Sequence, residues 1–140
     1  RKLMLIVFAV PLLVLRIFAP SFRIISAKGR EEEGINNPIH QQYDKTDPNH
    51  LEKISVRYLF QLFKYIRKSI SKASKINIPT IIFQGTSDME VSLKGVSEFY
   101  EKLNSDMKEL YLIEGGYHCL FTDPNFQDKW HLLIEWLKKH

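Results

Sequence analysis

Lys75-Ile76-Asn77-Ile78-Pro79-Thr80-Ile81-Ile82-Phe83-Gln84-Gly85-Thr86-Ser87-Asp88 and Leu110-Tyr111-Leu112-Ile113-Glu114-Gly115-Gly116-Tyr117-His118 are the two stretches that decide the fold. Each holds a short apolar run, Thr80 to Phe83 and Leu110 to Ile113, and each leaves it through a turn toward a chemically useful side chain. β-Branched and aromatic residues without polar alternation suit a strand covered on both faces, as in a parallel sheet of an α/β protein. Pro79 at the entrance of the first run is compatible with a strand start. Asp88 lies five residues past Phe83 and His118 five past Ile113, so equal offsets from paired strands are expected to bring both to one edge.

Between the runs, Leu93, Val96, Phe99, Tyr100 and Leu103 recur at spacings of three and four, with Lys94, Ser97, Glu98, Glu101 and Lys102 on the other side. That is an amphipathic helix, and strand, helix, strand makes a βαβ unit. Ligands of such sheets gather outside the carboxyl edge. Neighbouring parallel strands lie about 4.8 Å apart, which places Asp88 and His118 within side-chain reach. A carboxylate beside an imidazole fixes its tautomer and steadies the cation formed when it accepts a proton. A helix cap for Asp88 and a solvated turn histidine for His118 are the competing readings.

Pro79, an apolar strand and Gly85-x-x-Asp88, followed 30 positions later by Gly115-x-x-His118, resemble the C-terminal portion of an α/β-hydrolase, in particular the monoacylglycerol lipase and lysophospholipase group. The resemblance covers residues 76 to 140 well and the preceding half loosely. It implies an α/β fold made of lid helices plus the last βαβα of a mostly parallel sheet. It also implies Asp88 and His118 as acid and base of a Ser-His-Asp triad, a lipid or other acyl-ester substrate, and no metal or organic cofactor. Residues 1–74 then form the lid or cap region and the helix leading into the core, and 75–140 the C-terminal part of the core.

The nucleophile of such enzymes sits on a Gly-x-Ser-x-Gly elbow, and this sequence holds no such pentapeptide. Gly85-Thr86-Ser87-Asp88-Met89 and Gly95-Val96-Ser97-Glu98-Phe99 both lack the second glycine. With Arg1 in first place, the expectation is a piece of a longer serine hydrolase whose nucleophile and oxyanion hole lie in a missing N-terminal part. The alternative is a non-catalytic lipid-binding or interaction module on the same scaffold.

At 140 residues and 44% hydrophobic residues, the chain has the content of one ordinary domain. Its net charge of +4 is spread along the sequence, which argues against nucleic acid as a partner and leaves anionic lipid surfaces open. A single cysteine, Cys119, excludes an internal disulfide and reads as a small buried packing residue. Together these favour the cytoplasm or a membrane periphery. Leu3 to Phe18 is apolar but interrupted by Pro11 and Arg16, and its sixteen residues fall short of the roughly 20 that span a bilayer. A lid helix lining an acyl site and touching a membrane is the functional expectation for it, a buried helix the plain one.

From Ala19 to Asn49 the composition turns polar and reads as the most mobile part. His40, Asp44, Asp47 and His50 match no recognised metal-ligand spacing. Asp47-Pro48 reads as a helix start for an apolar stripe running from Leu51 to Ile70, with Arg57, Lys64, Arg67, Lys68 and Lys72 offering a basic face. Asp123-Pro124 reads as the start of the last helix, with Phe126, Trp130, Leu133, Ile134 and Leu137 as its buried stripe.

Overall fold

The computed structural model describes residues 11–26, 34–49, 51 and 53–140. The chain divides into two compact units, one of Arg1–Lys28 with Leu51–Arg67, the other of Gly29–His50 with Lys68–His140.

In the first unit residues 11–18 are helical, and Leu3 to Val10 of the apolar segment lie outside the described residues. Among the described residues no helix is long and apolar enough to cross a membrane. Strand β1 (Arg23–Ser26) pairs antiparallel with β2 (Lys53–Ser55), Ile25 opposite Ile54. After α1 (Pro38–Thr46, in the second unit), helix α2 (Val56–Lys72) begins directly at the end of β2. A helix starting at Asp47-Pro48 is therefore corrected: the start lies at Val56, because Lys53–Ser55 is committed to the ladder with β1. The Ser55 hydroxyl accepts the Tyr58 N–H at 3.2 Å, and the N–H groups of Val56 and Arg57 reach the carbonyls of Phe22 and Pro20. These bonds satisfy donors that a helix start leaves open.

In the second unit, residues expected to be mobile form helix α1 (Pro38–Thr46). Its start is a good cap: Asn37 accepts the Ile39 N–H at 3.1 Å and Pro38 needs no donor partner. The segment is also tied at long range, with Asn36 donating to Asp123, Asn37 to the Thr122 carbonyl, and the Cys119 N–H to the Gly34 carbonyl. Polar composition gave no sign of these bonds.

The βαβα portion follows as β3 (Thr80–Gly85), α3 (Leu93–Lys102), β4 (Lys108–Ile113) and α4 (Trp130–Lys139). Strands β3 and β4 are parallel neighbours, as the sequence indicated. Their register differs from the equal-offset reading: Phe83 faces Tyr111, and Ile113 faces Gly85. Asp88 thus lies three residues and His118 five beyond the paired strand ends. Gly115, at φ 67, turns the chain sharply and takes up the extra residues.

Ser92 caps α3 by accepting the Gly95 N–H. At the other end Lys108 donates to the carbonyls of Tyr100, Glu101 and Leu103, placing a cation where the helix leaves acceptors unpaired. Leu103 and Ile113 are buried, and Phe126 is fully buried beneath a ring cluster with Phe83, Phe121 and Trp130 at centroid distances of 5.1 to 5.5 Å. Aromatic edges meeting faces at these separations add to the area they bury. The last helical segment starts at Asp123-Pro124 but opens with 3-10 turns through Lys129. Its stripe is only partly buried: Ile134 and Leu137 are exposed, unlike Phe126.

Candidate active site

The loops after β3 and β4 are stitched together by backbone. The Thr86 N–H donates to the Ile113 carbonyl at 2.9 Å, the Ser87 N–H to that of Gly116 at 2.9 Å, and the Gly115 N–H to the Thr86 hydroxyl at 2.8 Å. The approach is too close for a side chain at Gly85, where a Cβ would overlap Gly116. Asp123, fully buried, accepts the Tyr117 N–H at 2.7 Å and the Asn125 N–H at 2.9 Å, which fixes the residue just before His118.

On this frame Asp88 and His118 come together: Asp88 Oδ2 lies 3.0 Å from His118 Nδ1. The Asp88 side chain is 4% exposed and that of His118 39%, so the acid is shut away while the imidazole opens to solvent. Asp88 is held from both oxygens. Oδ1 accepts the N–H groups of Glu90 (2.8 Å) and Val91 (2.9 Å), and Oδ2 also accepts the Gln84 amide at 2.8 Å. Burial pushes the Asp88 carboxyl up; bonds from Val91, His118, Gln84 and Glu90 outweigh it and hold the group below the ordinary carboxylate value. Asp88 caps its own turn, but helix α3 is capped by Ser92, so the helix-cap reading of Asp88 fails.

Three participants were missed from sequence. Gln84 looked like the strand's exit and is instead a buried donor to Asp88. Gly34 lies against His118, where an added Cβ would sit 3.8 Å from the His118 Cβ. Glu90 brings Oε2 to 3.9 Å from His118 Nε2, on the side away from Asp88. Only its place two residues after Asp88 hinted at this. Cys119 is exposed, which corrects the buried-packing reading, and its thiol is pushed up by partial desolvation of the sulfur and then by Glu90, Asp44 and Asp88. It lines a 540 Å³ cavity with His118, Ile81, Phe83, Phe121 and Leu133, an apolar wall beside the open imidazole. Among the described residues no group of His, Cys, Asp and Glu could hold a metal ion.

A family model described as serine aminopeptidase, S33, matches residues 5–125. The chain belongs to this α/β-hydrolase family. The chain is 24% identical to a monoacylglycerol lipase of Paleococcus ferrophilus, whose crystal structure superposes with a TM-score of 0.79 over 93% of this chain and 51% of that one. A soluble variant of the Saccharomyces cerevisiae monoglyceride lipase, in complex with a substrate analogue, gives 0.71 at 24% identity, covering 94% of this chain and 48% of that one. Among curated proteins, the Bacillus subtilis phospholipase YtpA is 25% identical over 115 residues, 81% of this chain and 44% of that protein. The uncharacterized protein YnbC of Escherichia coli K12 is 33% identical over 79 residues, 56% of this chain and 14% of that protein. The chain therefore spans less than half the length of the curated relatives it matches.

Proposed function

We propose that the chain is the C-terminal part of a serine hydrolase that cleaves carboxylic esters of lipids, of the monoacylglycerol or lysophospholipid type. Asp88 is the acid and His118 the base of its triad, and the serine lies outside this chain. The observation that carries this reading is the 3.0 Å contact between a buried carboxylate and a half-open imidazole. It is supported by family membership and by lipases and a phospholipase among the similar proteins. Residues 1–74 serve as lid and as the helix leading into the core, and residues 75–140 as the C-terminal part of the core. The exposed Leu62 and Phe63 of α2, a helix that also carries Arg57 and Lys64, offer a surface for contact with a lipid interface.

In the reaction, the serine hydroxyl attacks the ester carbonyl while His118 Nε2 takes its proton. Asp88 Oδ2 accepts the Nδ1–H and stabilises the imidazolium. His118 then gives the proton to the departing alcohol, leaving an acyl-enzyme. Water, deprotonated by the same nitrogen, attacks the acyl carbonyl; the serine recovers the proton and the carboxylic acid leaves.

The test is made in the whole protein that carries this chain. His118→Ala should lower ester turnover by about three orders of magnitude or more, because triad members act as a unit. A folded variant with substantial turnover would sink the assignment. Without a Gly-x-Ser-x-Gly elbow in this sequence, a non-catalytic lipid-binding module is the second reading. A fluorophosphonate separates the two, since only an activated serine is labelled.

A further inference from the structure

We infer that Glu90 reads the alcohol half of the ester, favouring alcohols that are cationic or rich in hydrogen-bond donors and disfavouring anionic ones. The inference rests on the hydrolase reading, for it places the alcohol by the nitrogen that protonates it.

The two imidazole nitrogens are divided between two carboxylates. Nδ1 is engaged by Asp88 at 3.0 Å, and Glu90 Oε2 stands 3.9 Å from Nε2. The first distance is a hydrogen bond; the second is too long for one. Glu90 is thus near the proton-transferring nitrogen without blocking it. A departing alcohol oxygen must come within about 3 Å of Nε2 to receive its proton, so the carbons next to that oxygen pass beside Glu90.

The position of Glu90 is built into the site. Its own N–H donates to Asp88 Oδ1 at 2.8 Å, so the residue that orients the imidazole also fixes the backbone from which Glu90 projects. On the far side Gly34 leaves room for the carboxylate: a Cβ there would stand 2.9 Å from Glu90 Oε1. The side chain remains 46% exposed and so accessible to a ligand. Carboxylates gather at this mouth: after burial, Glu90, Asp44 and Asp88 each push the neighbouring Cys119 thiol up. A choline-like cation or glycerol hydroxyls find attraction or an acceptor there. A phosphate monoester or carboxylate finds repulsion.

The experiment compares kcat/KM for lauroylcholine, 1-lauroylglycerol and lauroyl glycolate, which share one acyl chain, using the whole protein that carries this chain. The choline-to-glycolate ratio within one preparation cancels differences in active enzyme. For a partly solvated charge the expected fall in that ratio with Glu90→Gln is about two- to fivefold, and Glu90→Lys should lower it further. Glu90→Asp should keep it near the original value, and added salt should shrink the discrimination of the unaltered enzyme. A ratio unmoved by both the Gln and Lys variants overturns the role of Glu90 while leaving ester hydrolysis standing. Failure of the unaltered enzyme to cleave any of the three esters removes the hydrolase reading and this inference with it.

Discussion

Gly85 and Gly116 meet with no space for a side chain between them: a Cβ added to Gly85 would run into the Gly116 carbonyl. Backbone rather than a flexible side chain forms that wall, so neither partner can yield cheaply. Gly85→Ala should destabilise the protein by about 1 to 3 kcal/mol, the usual cost of forcing an atom into a full space. It should also pry the Asp88 loop from the His118 loop. A denaturant melt together with an ester assay checks both effects, and an unchanged midpoint would show that the loops part without cost.

Asp123 accepts three bonds while fully buried, from the N–H groups of Tyr117 and Asn125 and from the Asn36 amide. Asp123→Ala leaves those donors without their acceptor, at a cost of about 1 to 3 kcal/mol or more. Asp123→Asn keeps one carbonyl oxygen and should fall between. If both variants melt like the unaltered protein, water has replaced the carboxylate.

The βαβ unit was legible because its signals are local: apolar runs at Thr80 to Phe83 and Leu110 to Ile113, and the three-and-four spacing from Leu93 to Leu103. The meeting of Asp88 with His118 followed from parallel pairing, although the assumed register was two residues out. Gln84 and Gly85 concealed the end of β3, since neither favours a strand on its own. Helix α1 and strand β2 were hidden for another reason. Asn36, Asn37 and Gly34 bond to residues about 85 positions away, and Lys53–Ser55 pairs with Arg23–Ser26; neither relation leaves a periodic trace. Glu90 likewise acquires meaning only when the loop after β4 brings His118 to it.

Asp88 predicts a pH dependence of stability. Its folded-state value lies below the ordinary 3.8, so the folded chain gives up this proton more readily than the unfolded one. The resulting stabilisation is fully present above the ordinary value and is lost as pH falls below it toward the folded value. Denaturant midpoints should therefore decline on acidification below about pH 4, and less steeply in Asp88→Asn, which has no proton to take up there. Parallel curves for the two proteins would mean that Asp88 contributes nothing in that window.

Gln84 offers the sharpest test of how the carboxylate is held. Its amide donates at 2.8 Å to Asp88 Oδ2, the oxygen that also receives His118 Nδ1 at 3.0 Å. Gln84→Leu removes one donor but leaves the N–H groups of Glu90 and Val91 on the other oxygen, so Asp88 stays ionised with less constraint. Ester turnover in the whole protein should then fall modestly, by roughly tenfold for one hydrogen bond to a charged group. Gln84→Glu replaces the donor with a second carboxylate, and two like charges at that distance cannot both remain ionised. The proton they share competes with the imidazole for Asp88 Oδ2, so turnover should drop further than in the Leu variant and partly return as rising pH removes that proton. Equal losses in the two variants, with no difference in pH response, would show that Gln84 only fills space behind Asp88.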